Sequence, residues 1–238
     1  MTGGPLTGGA LTGEALTGRT KTQPVFRRFD GLQPYEPIVT AMADHVAAIR
    51  QDGADEEVWL LEHASVLTGG TSAQDSDLVD TSNIAVHRSG RGGQWTFHGP
   101  GQRVAYVMLD LGARAPDVRA YVHALESWII DVLDGFGIAG QRRPGHPGIW
   151  VNGNGQLDKI AAIGVRISRW VSWHGIAINL DPDLSAFDRI IPCGVRDGGV
   201  TSMAAQGVAC DMAALDAALQ ACFASRFAAS ADQVRSSR

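Results

Sequence analysis

The sequence is poor in lysine and in cysteine. Of its 20 basic residues only Lys21 and Lys159 are lysine, and the rest are arginine. Arginine stays protonated in proteins whereas a desolvated lysine can lose its proton, so a lysine kept at position 159 indicates either a chemical role or simple drift. The three cysteines, Cys193, Cys210 and Cys222, form neither a CxxC pair nor a cluster with zinc spacing. We therefore expect a reduced, cytoplasmic protein with no metal and no other cofactor.

Long apolar runs and excess positive charge are absent as well. The sequence has no apolar run of about 18 residues, so we expect no membrane span. It does not open with basic residues followed by an apolar stretch, so no secretory signal is predicted. The formal net charge of −5 disfavours nucleic acid as the main partner.

The composition along the chain predicts a single domain with two tails. Residues 1–24 contain the degenerate repeat PLTGG, ALTGE, ALTGR and carry no sustained apolar face, which predicts a disordered tail. We expect one domain over 25–230 and a flexible C-terminus over 231–238. Hydrophobic residues make up 45% of the chain and charged residues 19%, which suits a globular domain of this length.

Hydrophobic periodicity predicts an α+β domain. Helical spacing of apolar residues predicts helices over 35–51, 117–136 and 211–229, with Asp117 as the N-cap of the second. Strands are predicted over 58–62, 84–87, 104–109, 148–151, 159–167 and 171–180. Residues 63–82 are predicted to be mostly loop, 168–170 a hairpin break, 184–187 a helical turn and 190–197 a loop. Strands outnumber helices, and two of the helices are long, which favours α+β over a doubly wound fold.

The glycine-rich stretch 91–102, RGGQWTFHGPGQ, indicates a backbone held close to a bound molecule. Glycine permits positive φ and close approach of a ligand. The stretch matches neither GxxxxGK[ST] nor a GxGxxG before a helix, so a nucleotide site lacks its usual frame. His98 in this stretch is a general base, a ligand-orienting donor or, as is commoner for a lone histidine, a group that stabilises the loop.

Two apolar strands carry glycine in their interiors, at Gly164 in KIAAIGVR (159–166) and at Gly175 in HGIAINL (174–180). Glycine weakens a strand unless the space is needed, so the pair predicts a flat slot beside the sheet, with a β-bulge at each glycine as the alternative. Lys159 opens the first strand and is either part of the chemistry or an exposed charge at the sheet edge.

Cys193 is the cysteine whose setting suggests reactivity. It lies between Pro192 and Gly194 in a predicted loop, where the backbone can present sulfur to a cleft. A nearby cation that lowers the thiol pKa would make it reactive. Cys210 and Cys222 lie near or within the predicted last helix among Ala and Leu, and we interpret them as core residues.

Together these segments resemble the lipoyl(octanoyl) transferase family. They are RGGQWTFHGPGQ, then KIAAIGVR with HGIAINL, then PCGV (192–195) with VTSM (200–203), and the similarity covers about residues 26–215. The departures are mild, with Phe97 where tyrosine is usual and Met203 where leucine is usual. The resemblance implies a mixed sheet flanked by helices, similar to the catalytic domain of biotin and lipoate protein ligases.

The resemblance also implies the site residues. The acyl-thioester cysteine corresponds to Cys193 and its activating lysine to Lys159. The implied substrate-binding residues are Arg91, Gly92, Gly93, Gln94, Trp95, Thr96, Phe97, His98, Ala162, Ile163, Gly164, His174, Gly175 and Ile176.

The implied reaction moves an octanoyl or lipoyl group from acyl carrier protein to a lysine of lipoyl domains. The acceptors are those of 2-oxoacid dehydrogenases and the glycine cleavage H protein, and the step is the first of lipoate cofactor biosynthesis on proteins. A charged Lys159 would favour the Cys193 thiolate, and after acylation it could lose its own proton and act as the general base for the acceptor. Arginine could do the first but not the second. The oxyanion donors are backbone N–H groups around Gly194 or in the 91–98 loop.

Three rival functions stay open at this point. They are an ATP-dependent lipoate or biotin ligase of the same fold, a cysteine hydrolase with His98 or His174 as base, and a non-catalytic module that binds acyl carrier protein. Because the carrier partners are acidic, we also expect a local basic rim. Its predicted members are Arg88, Arg91, Arg142, Arg143 and Arg169.

Overall fold

A computed structural model of the chain describes residues 23–114, 116–153, 155–191 and 198–227. Within these ranges the helices are Tyr35–Gln51 (α1), Val118–Asp134 (α2) and Met212–Phe227 (α3). The strands are Val25–Gln33 (β1), Glu57–His63 (β2), Val66–Gly69 (β3), Ala85–Arg88 (β4), Trp95–His98 (β5), Gln102–Met108 (β6), Gln141–Arg143 (β7), His146–Asn152 (β8), Leu157–Ser168 (β9) and Val171–Asn179 (β10). The predicted tails 1–24 and 231–238 lie outside the described residues, apart from Gln23 and Pro24.

The strands form one large and one small mixed sheet. The large sheet has seven strands in the order β1-β2-β6-β10-β9-β8-β7, and the small one has the order β4-β3-β5. β1 pairs with β2 and β3 with β4 in parallel, whereas the remaining pairs are antiparallel. Helix α1 packs on one face of the large sheet, and α2 and α3 pack on the other. The predicted α+β fold with a mixed, helix-flanked sheet is confirmed.

The helices follow their sequence patterns. Ile38, Met42, Val46 and Ile49 recur at helical spacing in α1, and all four are buried against the sheet. Asp117 precedes α2, and its carboxylate accepts hydrogen bonds from the N–H groups of residues 119 and 120. These bonds satisfy donors that the first helical turn leaves open, so the predicted N-cap is confirmed. Among the described helices, none is both long and apolar enough to cross a membrane.

The break between β9 and β10 is a tight hairpin. Ser168 pairs with Val171, which leaves Arg169 and Trp170 as a two-residue turn. Their φ angles are 49° and 65°, the positive values that a type I′ turn requires at both positions. The hairpin brings the two apolar strands of the sequence side by side, with Gly164 opposite Gly175 in unbroken register. The β-bulge predicted as the alternative at each glycine is therefore absent from the β9–β10 pairing.

Four strands have no counterpart in the sequence predictions. β3 lies within the stretch predicted to be mostly loop, and β5 lies inside the glycine-rich segment. Both are four residues long and pair with each other in the small sheet. β1 and β7 lie at the two edges of the large sheet, where exposed residues blur the alternating pattern.

Candidate active site

A cavity of about 470 Å³ lies where β5 of the small sheet meets the large sheet. Its walls come from the loop before β5, from β6, and from the paired strands β9 and β10. Apolar side chains form much of the wall, among them Val104, Ile163, Ile176 and Ala177. Polar groups converge on it from Lys159 and from two buried histidines. A mostly apolar cleft with a few aimed polar groups is the usual form of a small-molecule site.

Arg91 holds the glycine-rich loop against the large sheet. Its guanidinium is buried and donates to the carbonyl oxygens of Thr68, Gln94 and Gly92 at 2.6, 3.0 and 2.9 Å. A Cβ built on Gly164 would lie 2.9 Å from Arg91 Cδ, so any other residue there would displace the Arg91 side chain. The slot predicted at Gly164 exists, and the Arg91 side chain occupies part of it. The prediction of Arg91 as a member of the basic rim is wrong, because its side chain is buried and donates its hydrogen bonds to backbone carbonyls.

Gly175 is required by the sheet itself. A Cβ on this residue would lie 2.1 Å from the carbonyl oxygen of Ala105 on the neighbouring strand. Only glycine allows β6 and β10 to approach this closely. The space predicted at this position is therefore taken by backbone.

Lys159 is buried at the cavity wall. Its side chain is 8% exposed, so the alternative of an exposed edge charge is wrong. The ammonium Nζ donates to the Pro147 carbonyl oxygen at 3.2 Å and lies 4.7 Å from the centre of the Trp150 ring. The Lys159 backbone pairs with the chain that follows the Cys193 segment. Its N–H donates to the Gly199 carbonyl oxygen at 2.9 Å, and its carbonyl oxygen accepts from the Thr201 N–H at 3.0 Å. Two ladder bonds thus fix the lysine beside residues 199–201.

A chain of buried amides fixes which ring nitrogen of His98 carries a proton. Gln102 Nε2 donates to the Phe97 carbonyl oxygen at 3.2 Å and to Asn179 Oδ1 at 2.9 Å. Asn179 Nδ2 donates to the Thr201 carbonyl oxygen at 2.9 Å. Because the two carbonyls can only accept, Gln102 Oε1 is left to accept from His98 Nδ1 at 2.7 Å. A neutral His98 therefore has an unprotonated Nε2, and the residue lines the cavity.

The cavity histidines are neutral at physiological pH. Burial lowers the pKa of His98 to about 3, and the Arg91 charge and any proton on nearby His63 act in the same direction. Burial also lowers the pKa of His174 to about 3, again with a contribution from Arg91. The pKa of His63 is lowered by burial as well. Both cavity histidines can therefore accept hydrogen bonds from a substrate.

His174 has an unusual backbone. Its φ of 58° lies in the left-handed region, although the residue is inside strand β10. Its N–H points to Met42 Sδ at 3.2 Å, and its ring stacks on Trp173 with centroids 5.1 Å apart. Strained backbone of this kind persists only where the surroundings enforce it, and it concentrates at functional sites.

The structure gathers most of the residues that the sequence singled out. Lys159 and all the predicted substrate-binding residues except Phe97 line the cavity. Phe97 instead packs edge-on against Phe187, with ring centroids 5.5 Å apart, in the core under the small sheet. Cys193 lies outside the described residues. Cys210 and Cys222 are partly buried against the main core, and burial raises the pKa of both thiols.

Sequence reasoning missed several cavity residues. Gln102 and Asn179 lie in the segments RGGQWTFHGPGQ and HGIAINL. An amide side chain in an otherwise apolar strand needs a hydrogen-bond partner when it is buried, and this could have indicated their role. Tyr35, Tyr106 and Phe187 line the cavity without any local signal, because aromatic residues at strand or helix spacing look like ordinary core.

The predicted basic rim receives limited support. Arg88 forms an ion pair with Asp75, and Arg142 donates to Glu126 with Nε 2.9 Å from Oε2. Arg169 is exposed in the hairpin turn. Charges already neutralised by a neighbour attract an acidic partner less strongly, so the rim stays a prediction.

Comparison with known proteins places the chain in a family. Residues 38–224 match the model of the lipoyl protein ligase A/B catalytic domain. The chain is 53% identical over 206 residues to an octanoyltransferase of Cereibacter sphaeroides, covering 83% of this chain and 94% of that protein. It is 56% identical over 199 residues to an octanoyltransferase of Acidiphilium cryptum, covering 81% and 87%. A bipartite lipoate protein ligase from Thermoplasma acidophilum shares the fold, with a TM-score of 0.65 at 13% identity over 86% of this chain and 84% of that one.

The chain therefore belongs to the lipoyl protein ligase A/B catalytic domain family. Among the proteins compared, the two octanoyltransferases are identical to this chain at more than half of the aligned residues, whereas the ligase shares its fold alone.

Proposed function

We propose that this protein transfers an octanoyl group through a thioester on Cys193, with Lys159 as the partner of the sulfur. The chain is an acyltransferase of the octanoyltransferase kind, given its identity to octanoyltransferases along most of its length. The observation that carries the mechanism is the placement of Lys159. It is buried at an apolar cavity and hydrogen-bonded through its backbone to the residues that follow the Cys193 segment.

The cavity suits a fatty acyl chain. An octanoyl group has about six methylenes, and burying each contributes at most ~0.8 kcal/mol, or about 5 kcal/mol in all. Val104, Ile163, Ile176 and Ala177 supply the apolar surface. We assign substrate binding to the remaining predicted residues at the same wall, from Arg91 through Thr96 and at His98, Ala162, Gly164, His174 and Gly175.

The reaction runs in two steps. In the first, the Lys159 ammonium favours the Cys193 thiolate by charge attraction. The sulfur attacks the donor thioester, a new carbon–sulfur bond forms, and the donor thiolate leaves with the proton it needs coming from solvent or from Lys159. One thioester replaces another, so the step is close to balanced and needs no ATP.

In the second step the acyl group moves to an amine. Acylation removes the negative charge of Cys193, so the neighbouring Lys159 gives up its proton more easily. Neutral Lys159 then takes a proton from the acceptor ammonium, the amine attacks the thioester carbon, and the Cys193 thiolate leaves. We propose octanoyl-acyl carrier protein as the donor and a lysine of lipoyl domains as the acceptor, including those of 2-oxoacid dehydrogenases and the glycine cleavage H protein. A cytoplasmic location stays a prediction.

Intact mass spectrometry tests the scheme. Mixing the protein with octanoyl-acyl carrier protein, without ATP, should add one octanoyl group that hydroxylamine removes. Cys193→Ser should abolish the hydroxylamine-sensitive adduct, and the matched Cys210→Ser variant should keep it. An adduct that depends on ATP and Mg²⁺ would instead support a ligase, and free octanoate without an adduct would support a hydrolase.

A further inference from the structure

We propose that Trp150 is a positioning residue that seats the Lys159 ammonium on its indole face. The effect of Trp150 on catalysis rests on the proposed function, whereas the contact between the Lys159 ammonium and the indole ring is a property of the folded chain. No sequence motif singles out Trp150, and the residue is absent from the described part of the cavity lining.

The two side chains are placed together by strand register. Trp150 on β8 is the direct antiparallel partner of Lys159 on β9, so their side chains leave the sheet on the same side. The Lys159 Nζ lies 4.7 Å from the centre of the Trp150 ring. A cation within about 6 Å of an aromatic face is attracted by the ring quadrupole, most strongly by tryptophan and most strongly when both groups are out of water. Both side chains are buried.

The indole ring is itself held in place. Its Nε1–H donates to the His146 carbonyl oxygen at 3.1 Å, and the side chain is 2% exposed. The β8 register shifts between Ile149 and Trp150, just after Gly148, whose φ is 121°. A Cβ on Gly148 would lie 2.5 Å from the Ala161 oxygen, so glycine lets β8 lie close to β9 next to this irregularity.

The same ring contacts a second cation and the backbone at residue 198. Arg143 Cζ lies 4.9 Å from the ring centre. A Cβ on Gly198 would lie 3.0 Å from Trp150 Cζ3 and 3.1 Å from Arg143 Nη1, so the backbone there packs directly on both side chains. Trp150 therefore contacts the lysine and also the chain that follows the Cys193 segment.

An aromatic seat suits the two roles proposed for Lys159. The ring attracts the ammonium and fixes its position, yet it has no lone pair with which to take the proton. The ring therefore favours the charged lysine while it stabilises the thiolate, and the loss of the sulfur's charge on acylation is what lets the lysine release its proton for the transfer step.

The scarcity of lysine makes the seat measurable. Protein grown with lysine labelled with ¹³C at Cε has two side-chain signals, and Lys21→Arg leaves only that of Lys159. Protons over the face of an indole ring resonate upfield, so the Lys159 Hε signals should lie upfield of those of free lysine. The shift should vanish in Trp150→Leu and persist in part in Trp150→Phe. Trp170→Asn, in the exposed hairpin turn, is the control that should leave it unchanged.

Single-turnover kinetics test the positioning role. In Trp150→Leu both thioester formation and transfer to a lipoyl domain should slow by about tenfold or more, whereas Trp150→Phe should recover most of the rate. The pH dependence of both steps should change in Trp150→Leu, which a loss of folded protein alone would not cause. Thermal unfolding of each variant accounts for that loss.

The outcomes separate the two proposals. A Lys159 signal at the free-lysine position in the wild type, or one unaffected by Trp150→Leu, overturns the seat. If the wild type shows the upfield signal but folded Trp150→Leu keeps the wild-type rates of thioester formation and transfer, the positioning role is overturned. An upfield signal in a wild type that forms no Cys193 thioester leaves the seat established and overturns the proposed function.

Discussion

The two cavity histidines should make the protein lose stability as the pH falls below neutrality. In the unfolded chain a histidine binds its proton near pH 6.5. In the folded protein the pKa values of His98 and His174 are about 3. Between these values the unfolded state binds more protons than the folded state, so the free energy of unfolding decreases with decreasing pH. The contribution is fully present above pH 6.5 and is lost progressively down to about pH 3.

The size of the effect follows from the same values. At pH 5 the unfolded chain gains about 2 kcal/mol from protonating one such histidine, and about 4 kcal/mol from both. A domain of this kind has a total stability of about 5–15 kcal/mol, so the loss should be easy to measure. His63, whose pKa is also lowered by burial, adds to the loss in the same direction.

Urea unfolding followed by circular dichroism at pH 8, 7, 6 and 5 measures this directly. Carboxylates also respond to pH, so the informative quantity is the difference between wild type and His174→Asn, in which asparagine tolerates the positive φ. That difference should change by about 2 kcal/mol between pH 8 and pH 5. His123→Asn, which removes an exposed histidine, is the matched control. Parallel curves for wild type and His174→Asn would refute the claim that this histidine is buried in its neutral form.

Three further predictions concern the framework of the site. Gly175→Ala should cost about 1–3 kcal/mol of unfolding free energy because a backbone oxygen would lie 2.1 Å from the new methyl group. The control Gly135→Ala, whose nearest contact would be at 3.3 Å, should cost far less, and chemical denaturation compares the two variants. Gln102→Leu should lose about 1–3 kcal/mol because it removes the donor to Asn179 Oδ1 and the acceptor for His98 Nδ1, and equal stability in the variant would contradict the amide chain. Asp117→Ala should lower stability by about 1 kcal/mol through the missing N-cap, seen as a lower melting temperature.

Local patterns predicted the elements whose burial is set within one turn or one strand. Helix α1 is a clear case, since its four apolar positions face one sheet and its bounds match the prediction of 35–51. The sequence likewise predicted the strands β9 and β10 and the hairpin between them, because two long apolar runs with a short break between them favour a pair of antiparallel strands. The strands β3 and β5 were not, because each has only four residues and depends on the other for its hydrogen bonds.

The glycines show how a correct inference can have a different physical cause. Both Gly164 and Gly175 were expected to leave room beside the sheet. In the structure, the first makes room for the Arg91 side chain and the second for the backbone of β6. Sequence can indicate that a side chain is not tolerated at a position, but what occupies the space is decided by elements that are distant along the chain.

Lysine scarcity gains its meaning from the fold. Arginine supplies the buried or partly buried cations that pair with acids, as in Arg103 with Asp216 and Arg114 with Glu56. Lys159 is the only lysine in the described ranges, and it lies at the cavity on an aromatic ring. A permanently charged guanidinium serves a structural pair well, whereas a proton-transfer step needs a group that can be neutral. The composition indicates which cation differs from the rest, and the register of β8 and β9 places that cation on the Trp150 ring.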